Sequence, residues 1–224
     1  MTAAAPRARL TYFAGWGLAE QTRWMLAAAD VEWEQVSLQN HAQFLDLRSK
    51  GRLLFGQLPL LEIDGLDLVQ SQAMVRYVGR RGGMAGKTPA EEALVDMVCD
   101  GVKDARGSVV SFPFEQDQNL ATMKLPQNVQ RHLDCFEVIL QRGSGQVVAS
   151  GISTADVLLG ELGHELLEIR PDALDRHPFM RALHDKVVKL PGVDKYLRST
   201  LRYPLPRGDV GRVYVANVGQ VLGR

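Results

Sequence analysis

The chain has 224 residues, 46% of them hydrophobic and 23% charged, ordinary values for a soluble globular protein. Its 26 Lys and Arg balance 26 Asp and Glu, so no basic excess points to nucleic acid or an anionic membrane surface. No apolar run approaches the ~20 residues of a membrane span, and the opening "MTAAAPRARLTYF" holds too short an apolar stretch for a signal peptide. Cys99 and Cys135 lie far apart and form no CxxC, which fits a reduced, intracellular setting and packing roles.

In chain order, "RLTYF" (9–13) carries β-branched and aromatic residues and reads as a strand. "AGWG" (14–17) is a loop. "LAEQTRWMLAAAD" (18–30) is rich in helix formers, with Trp24, Ala27, Ala28 and Val31 at helical spacing on its buried side. "WEQVSL" is a second strand, and residues 40–52 are a polar loop with a short helix. "LPLLEI" and "LDLVQ" flank Asp64-Gly65, a favoured two-residue hairpin turn. "QAMVRYVGRR" then gives a helix with Ala73, Met74, Tyr77 and Val78 on its apolar face. A strand–helix–strand unit followed by a hairpin and a helix makes a small α/β domain, 1–82.

"RGGMAGK" (81–87) is a glycine-rich linker. Beyond it, over 88–224, no strand pattern precedes the tail. Thr88, Pro89 and Glu91 spell a helix start with a capping box. The helix over "ALVDMVCDGVKDARGSVVSFPF" is expected to kink or end at Pro113. "LPQNVQRHLDCFEVILQR" is another helix, and "ISTADVLLGELGHELLEI" opens with a second capping box, Ser153 to Asp156. "HPFMRALHDKVVKL" is expected to be the last long helix, ended by Pro191-Gly192. The tail from Tyr203, with Pro204, Pro206, Gly208 and Gly211, is expected to be irregular. The five histidines show no metal-ligand spacing, and no GxSxG, P-loop or GxGxxG precedes a suitable helix, so no metal site is expected.

One feature of this order stands out. Pro59 sits where a strand begins, with Gln57 before it and Gln70-Ser71 closing the following strand. With "LTYF", "EQTRW", "ALVDMVCDGVKDAR" and "STADVLL", this pattern resembles the cytosolic glutathione transferases over nearly the whole chain. Within them it is most similar to the tyrosine-type branch, near the pi, sigma and alpha classes. The resemblance implies an α/β thioredoxin-like N-terminal domain and an all-α C-terminal domain, a cytoplasmic homodimer, and glutathione as co-substrate without a further cofactor. It also implies a small hydrophobic electrophile as second substrate, with no nucleic acid or membrane partner.

The resemblance implies the following site residues. Tyr12 donates its hydroxyl hydrogen bond to the glutathione sulfur. A free thiol, pKa about 8.5, is mostly protonated at pH 7, and a charge-assisted hydrogen bond of roughly 1.5–3 kcal/mol supplies much of a two-unit fall. Thr11 is a rival hydroxyl that strand alternation points the other way. Gln57 precedes a cis Leu58–Pro59 bond, whose Leu58 N–H and C=O pair with the cysteinyl backbone. Gln70 and Ser71 meet the γ-glutamyl carboxylate at a helix start. Lys50, with Arg48 as alternative, meets the glycine carboxylate. Asp104, with Asp100 as close decoy, reaches the γ-glutamyl ammonium of the other subunit. Phe13, Trp16, Val110 and Phe114 form the electrophile pocket. The loop after Tyr12 lacks the arginines common in relatives, and Phe114 stands where pi and mu members have a tyrosine. Both departures bear on rate, the second on epoxide and enone substrates in particular. The competing reading is a non-catalytic structural or ligand-carrying protein of the same fold, and within the enzymes a sigma-type glutathione-dependent isomerase.

Overall fold

A computed structural model describes residues 8–224. Residues 1–7, read above as the start of the first domain and as part of a segment unlike a signal peptide, lie outside the described residues.

Four strands form one sheet: β1 (Ala8–Tyr12), β2 (Trp33–Ser37), β3 (Leu60–Ile63) and β4 (Leu66–Val69), in the order β2-β1-β3-β4. β1 and β2 run parallel; β3 is antiparallel to both β1 and β4. The parallel pair is joined through α1 (Glu20–Ala28), as a crossover requires. The β3–β4 hairpin turns on Asp64 and Gly65, both at positive φ, as the Asp-Gly pair dictates. α2 (His41–Ser49) is closed by a capping box between Asn40 and Gln43, and α3 (Ser71–Arg81) follows β4. This is the thioredoxin-like arrangement expected from the sequence.

The rest is helical: α4 (Pro89–Ala105), α5 (Gly107–Ser111), α6 (Gln118–Arg142), α7 (Thr154–Ile169), α8 (Pro178–Val187), α9 (Pro191–Leu197) and α10 (Gly208–Leu222). α7 is buried on nearly every side and runs through the centre, with Leu158, Leu159, Leu162 and Leu166 fully buried. Each such leucine contributes about 1.5–3 kcal/mol of burial. Its first turn is held by the Ser153–Asp156 capping box. α1 is wedged between α3, α7 and α9, which joins the two domains and explains why even Glu20, Gln21 and Arg23 are buried. Arg23 meets its burial with an ion pair to Glu20 at 2.8 Å.

Five expectations change, four of them at helix ends. At Thr88 the box is half made: its side chain accepts from Glu91 N–H, but Glu91 turns to Lys87 N–H instead. The long helix toward Pro113 breaks earlier, at Arg106, whose side chain is drawn inward; Pro113 lies in a 3₁₀ turn, Phe112–Phe114. α6 begins at Gln118, not Leu125, because Asp117 caps its first turn and Pro126 is tolerated inside the helix. Pro191 opens α9 rather than only ending α8, which suits proline at a first helical position.

The largest change is the tail. Residues 208–222 form α10, with Gly211, Tyr214 and Val221 buried on one side at helical spacing. Its Pro and Gly residues suggested an irregular tail, but docking against α2 and the Phe112–Phe114 turn orders it as a helix.

Candidate active site

The register of the sheet gathers the expected site. Thr11 pairs with Leu60, and Leu60 with Val69, so one row crosses three strands. The residues just beyond that row, Tyr12, Pro59 and Gln70, therefore meet at one end of the sheet. Thr11 itself lines a cleft toward α2 with Arg9, Leu38 and Asp46, on the side opposite Tyr12.

The Leu58–Pro59 bond is cis. Gln57, just before it, is exposed. Gln70 holds φ +71°, a region that non-glycine residues rarely occupy and that costs of order 1–3 kcal/mol. That backbone sets Ser71 as the first residue of α3. Among the described residues no side chain caps this helix start, so its leading N–H groups stay open to an anion. α2, α4, α6 and α7, by contrast, are each capped by their own Asn, Thr, Asp or Ser.

On α2, Lys50 lies at the C-terminal end in an exposed ion pair with Asp46 at 2.7 Å. Arg48 sets its Nε beside Gly56, next to Gln57, and makes no ion pair among the described residues. On α4, Asp100 is engaged by Arg76 at 2.6 Å, whereas Asp104 is exposed and unpaired among the described residues.

Tyr12 is buried, and its hydroxyl accepts a hydrogen bond from Leu18 N–H at 3.0 Å. Burial raises its pKa; the Leu18 N–H, the Tyr214 hydroxyl and the cations Arg23 and Arg106 act against that rise. Phe13 packs edge-on against Tyr12, 4.7 Å between ring centres. Trp16 is buried and pinned by its indole N–H to Tyr203 O at 2.8 Å. Trp16 and Val110 share a small cleft with Pro113. Phe114 is half exposed, its ring 5.9 Å from that of Tyr214.

Three residues near Tyr12 escaped the sequence reading. Arg106 crosses from α4 to donate to Gly17 O at 3.1 Å and pairs with Glu165 and, at 2.7 Å, with Glu161. The signal was there: two carboxylates four residues apart on the apolar α7 demand a buried cation. Burial keeps both carboxyls above the ordinary carboxylate range, Glu161 the more so. Tyr214 and Asn217 come from α10, where no local signal marked a helix. Asn217 accepts from Ala14 N–H and donates to Leu38 O, both at 2.9 Å, fastening α10 over the loop after β1. No group of His, Cys, Asp or Glu among the described residues is placed to hold a metal ion.

A thioredoxin-like sheet with a tyrosine, a Leu–Pro turn and an open helix start at one end, fused to a helical domain, defines the glutathione transferase class. The chain belongs to the glutathione S-transferase family: residues 8–80 match its N-terminal domain model and residues 103–200 its C-terminal domain model. It is 37% identical to glutathione S-transferase A3 of Mus musculus over 194 residues, covering 84% of this chain and 87% of the relative. Among solved structures it is similar to the pi-class glutathione S-transferase of Onchocerca volvulus (TM-score 0.79, 26% identity, 92% of this chain and 99% of that one). It is also similar to a monomeric glutathione S-transferase of Necator americanus (TM-score 0.77, 31% identity, 88% and 100%). The chain is an enzyme of the transferase class.

Proposed function

We propose that this transferase binds glutathione along the Leu58–Pro59 and Gln70-Ser71 end of the sheet and activates its thiol through Tyr12. The observation that carries the reading is the Thr11–Leu60–Val69 row, which brings all three elements to one end of the sheet. Leu58 pairs with the cysteinyl backbone. Gln70 and Ser71 take the γ-glutamyl carboxylate at the uncapped start of α3. Gln57 and Arg48 hold the glycine end, Arg48 being free of the ion pair that occupies Lys50.

The sulfur meets the Tyr12 hydroxyl, which donates to it and stabilises the thiolate; tyrosine is a donor here, not a nucleophile. No arginine stands in the loop after β1, but Arg23 and Arg106 approach from α1 and α4 and favour negative charge at that point. The thiolate attacks a small hydrophobic electrophile seated by Phe13, Trp16, Val110 and Phe114.

A homodimer completes the site. Met97 and Asp104 are seven residues apart on one exposed face of α4, and Leu54 and Phe55 are exposed just before Gln57. This apolar surface is the dimer face, and it carries Asp104 to the partner's γ-glutamyl ammonium.

One assay tests the reading: conjugation of glutathione to a chromogenic aryl halide by wild type and Tyr12→Phe. Wild type turns over, and the variant loses at least tenfold in rate while still binding glutathione. A wild type that binds glutathione without turnover overturns it in favour of a ligand-carrying role.

A further inference from the structure

Thiol activation as outlined needs one hydroxyl, yet the structure brings two to the same point. Tyr214, on α10, is buried. Its ring lies so close over the loop after β1 that a Cβ on Gly15 would overlap it. Its hydroxyl converges with that of Tyr12 over Gly17, where an added Cβ would strike both oxygens. Gly17 takes φ +51°, so the absence of a side chain there is required twice over. Asn217, one turn along α10, fixes the helix by its bonds to Ala14 and Leu38. The Phe114 ring supports Tyr214 from the other side.

We propose that Tyr214 is a positioning residue of thiol activation, donating its O–H to the Tyr12 oxygen so that the Tyr12 proton is left for the glutathione sulfur. This rests on the reading of Tyr12 above. A phenolic oxygen has one proton and two lone pairs. Leu18 N–H occupies one lone pair of Tyr12, and the Tyr214 O–H, converging on the same point over Gly17, is the donor proposed for the other. With its acceptor capacity filled from inside the protein, Tyr12 has its own proton to offer outward. Accepting two hydrogen bonds also polarises its O–H and makes it a stronger donor. Neither tyrosine loses a proton; the thiol proton leaves to solvent as the thiolate forms.

The charged groups facing this pair are Arg23, backed by Glu20, and Arg106, backed by Glu161 and Glu165. Burial holds the Tyr214 hydroxyl well above the ordinary phenol range, so it stays a donor throughout the working pH range.

Tyr214→Phe keeps the ring and removes the hydroxyl. The readouts are the pKa of enzyme-bound glutathione, from the ultraviolet absorbance of the thiolate against pH, and the pH profile of kcat/KM. The thiol pKa and the acid limb are expected to rise together by about 0.5–1 unit, the worth of one ordinary hydrogen bond. KM for glutathione stays within about twofold, as for a group acting on the thiolate alone. In a Tyr12→Phe background, Tyr214→Phe adds nothing further, because it acts through Tyr12. An unchanged thiol pKa, or equal losses with and without the Tyr12 hydroxyl, overturns the role of Tyr214 and leaves Tyr12 chemistry standing. A wild type with no bound thiolate sinks both.

Discussion

The two ends of the proposed glutathione cleft are built in different ways. The peptide-binding end is local: Gln57, Leu58, Pro59, Gln70 and Ser71 lie within one hairpin and the helix start that follows it. The thiol end is assembled from afar. Tyr12 is met by Leu18 six residues on; Gly17 is held by Arg106, 89 residues away; and Ala14 is held by Asn217, 203 residues away. A cradle made from backbone can be written in consecutive residues, because a turn and an uncapped helix start need only their own φ and ψ. A hydroxyl that must be buried, oriented and held near positive charge needs walls, and those walls come from other elements.

This contrast can be broken by experiment. The largest effect is expected at Arg106. Arg106→Met leaves Glu161 and Glu165 buried without their cation and should cost about 3–5 kcal/mol in urea unfolding. A loss below about 1 kcal/mol would mean that the helical domain does not hold the loop after β1 in the way described.

Next is Gly17→Ala, which forces a Cβ between the Tyr12 and Tyr214 hydroxyls at positive φ. It is expected to lower kcat by about tenfold, ~1.4 kcal/mol of barrier, with little change in KM for glutathione. Ser71→Ala is the opposite case. Losing one hydrogen bond to the bound peptide, roughly 0.5–1.5 kcal/mol, should raise KM several-fold and leave kcat intact. If both variants moved the same parameter, the division into two ends would fail.

The smallest effect sharpens the electrostatics. Burial raises the Glu161 pKa, so the folded protein keeps that proton after the unfolded chain has released it. The stability from this group is complete below the unfolded value of about 4.3 and declines as pH rises toward the folded value. Glu161→Gln removes the decline. Urea titrations should find the variant matched to wild type near pH 4 and relatively more stable at pH 8; a gap that widens toward acid would reverse the assignment.

Much of the first domain was legible because its signals are short-range. Asp64-Gly65 marks its turn, and the short apolar runs on either side mark the strands. Ser153–Asp156 announced α7 for the same reason. The start of α6 was read too late, at Leu125, because Asp117 caps the helix eight residues earlier and Pro126 is tolerated inside it. The two glutamates of α7 pointed to a buried cation, but not to which of many arginines would reach them.

The sequence by itself determined the domain order, the hairpin and the placement of Tyr12 at a strand end, since each follows from residue-level preferences along the backbone. Only the tertiary structure decided that residues 208–222 are a helix and that Tyr214 shares a point in space with Tyr12. The reason is physical: α10 gains its order from surfaces it covers, namely α2, the Phe112–Phe114 turn and the loop at Gly15 and Gly17. A segment stabilised by docking carries its instructions in the partner surface as much as in its own residues.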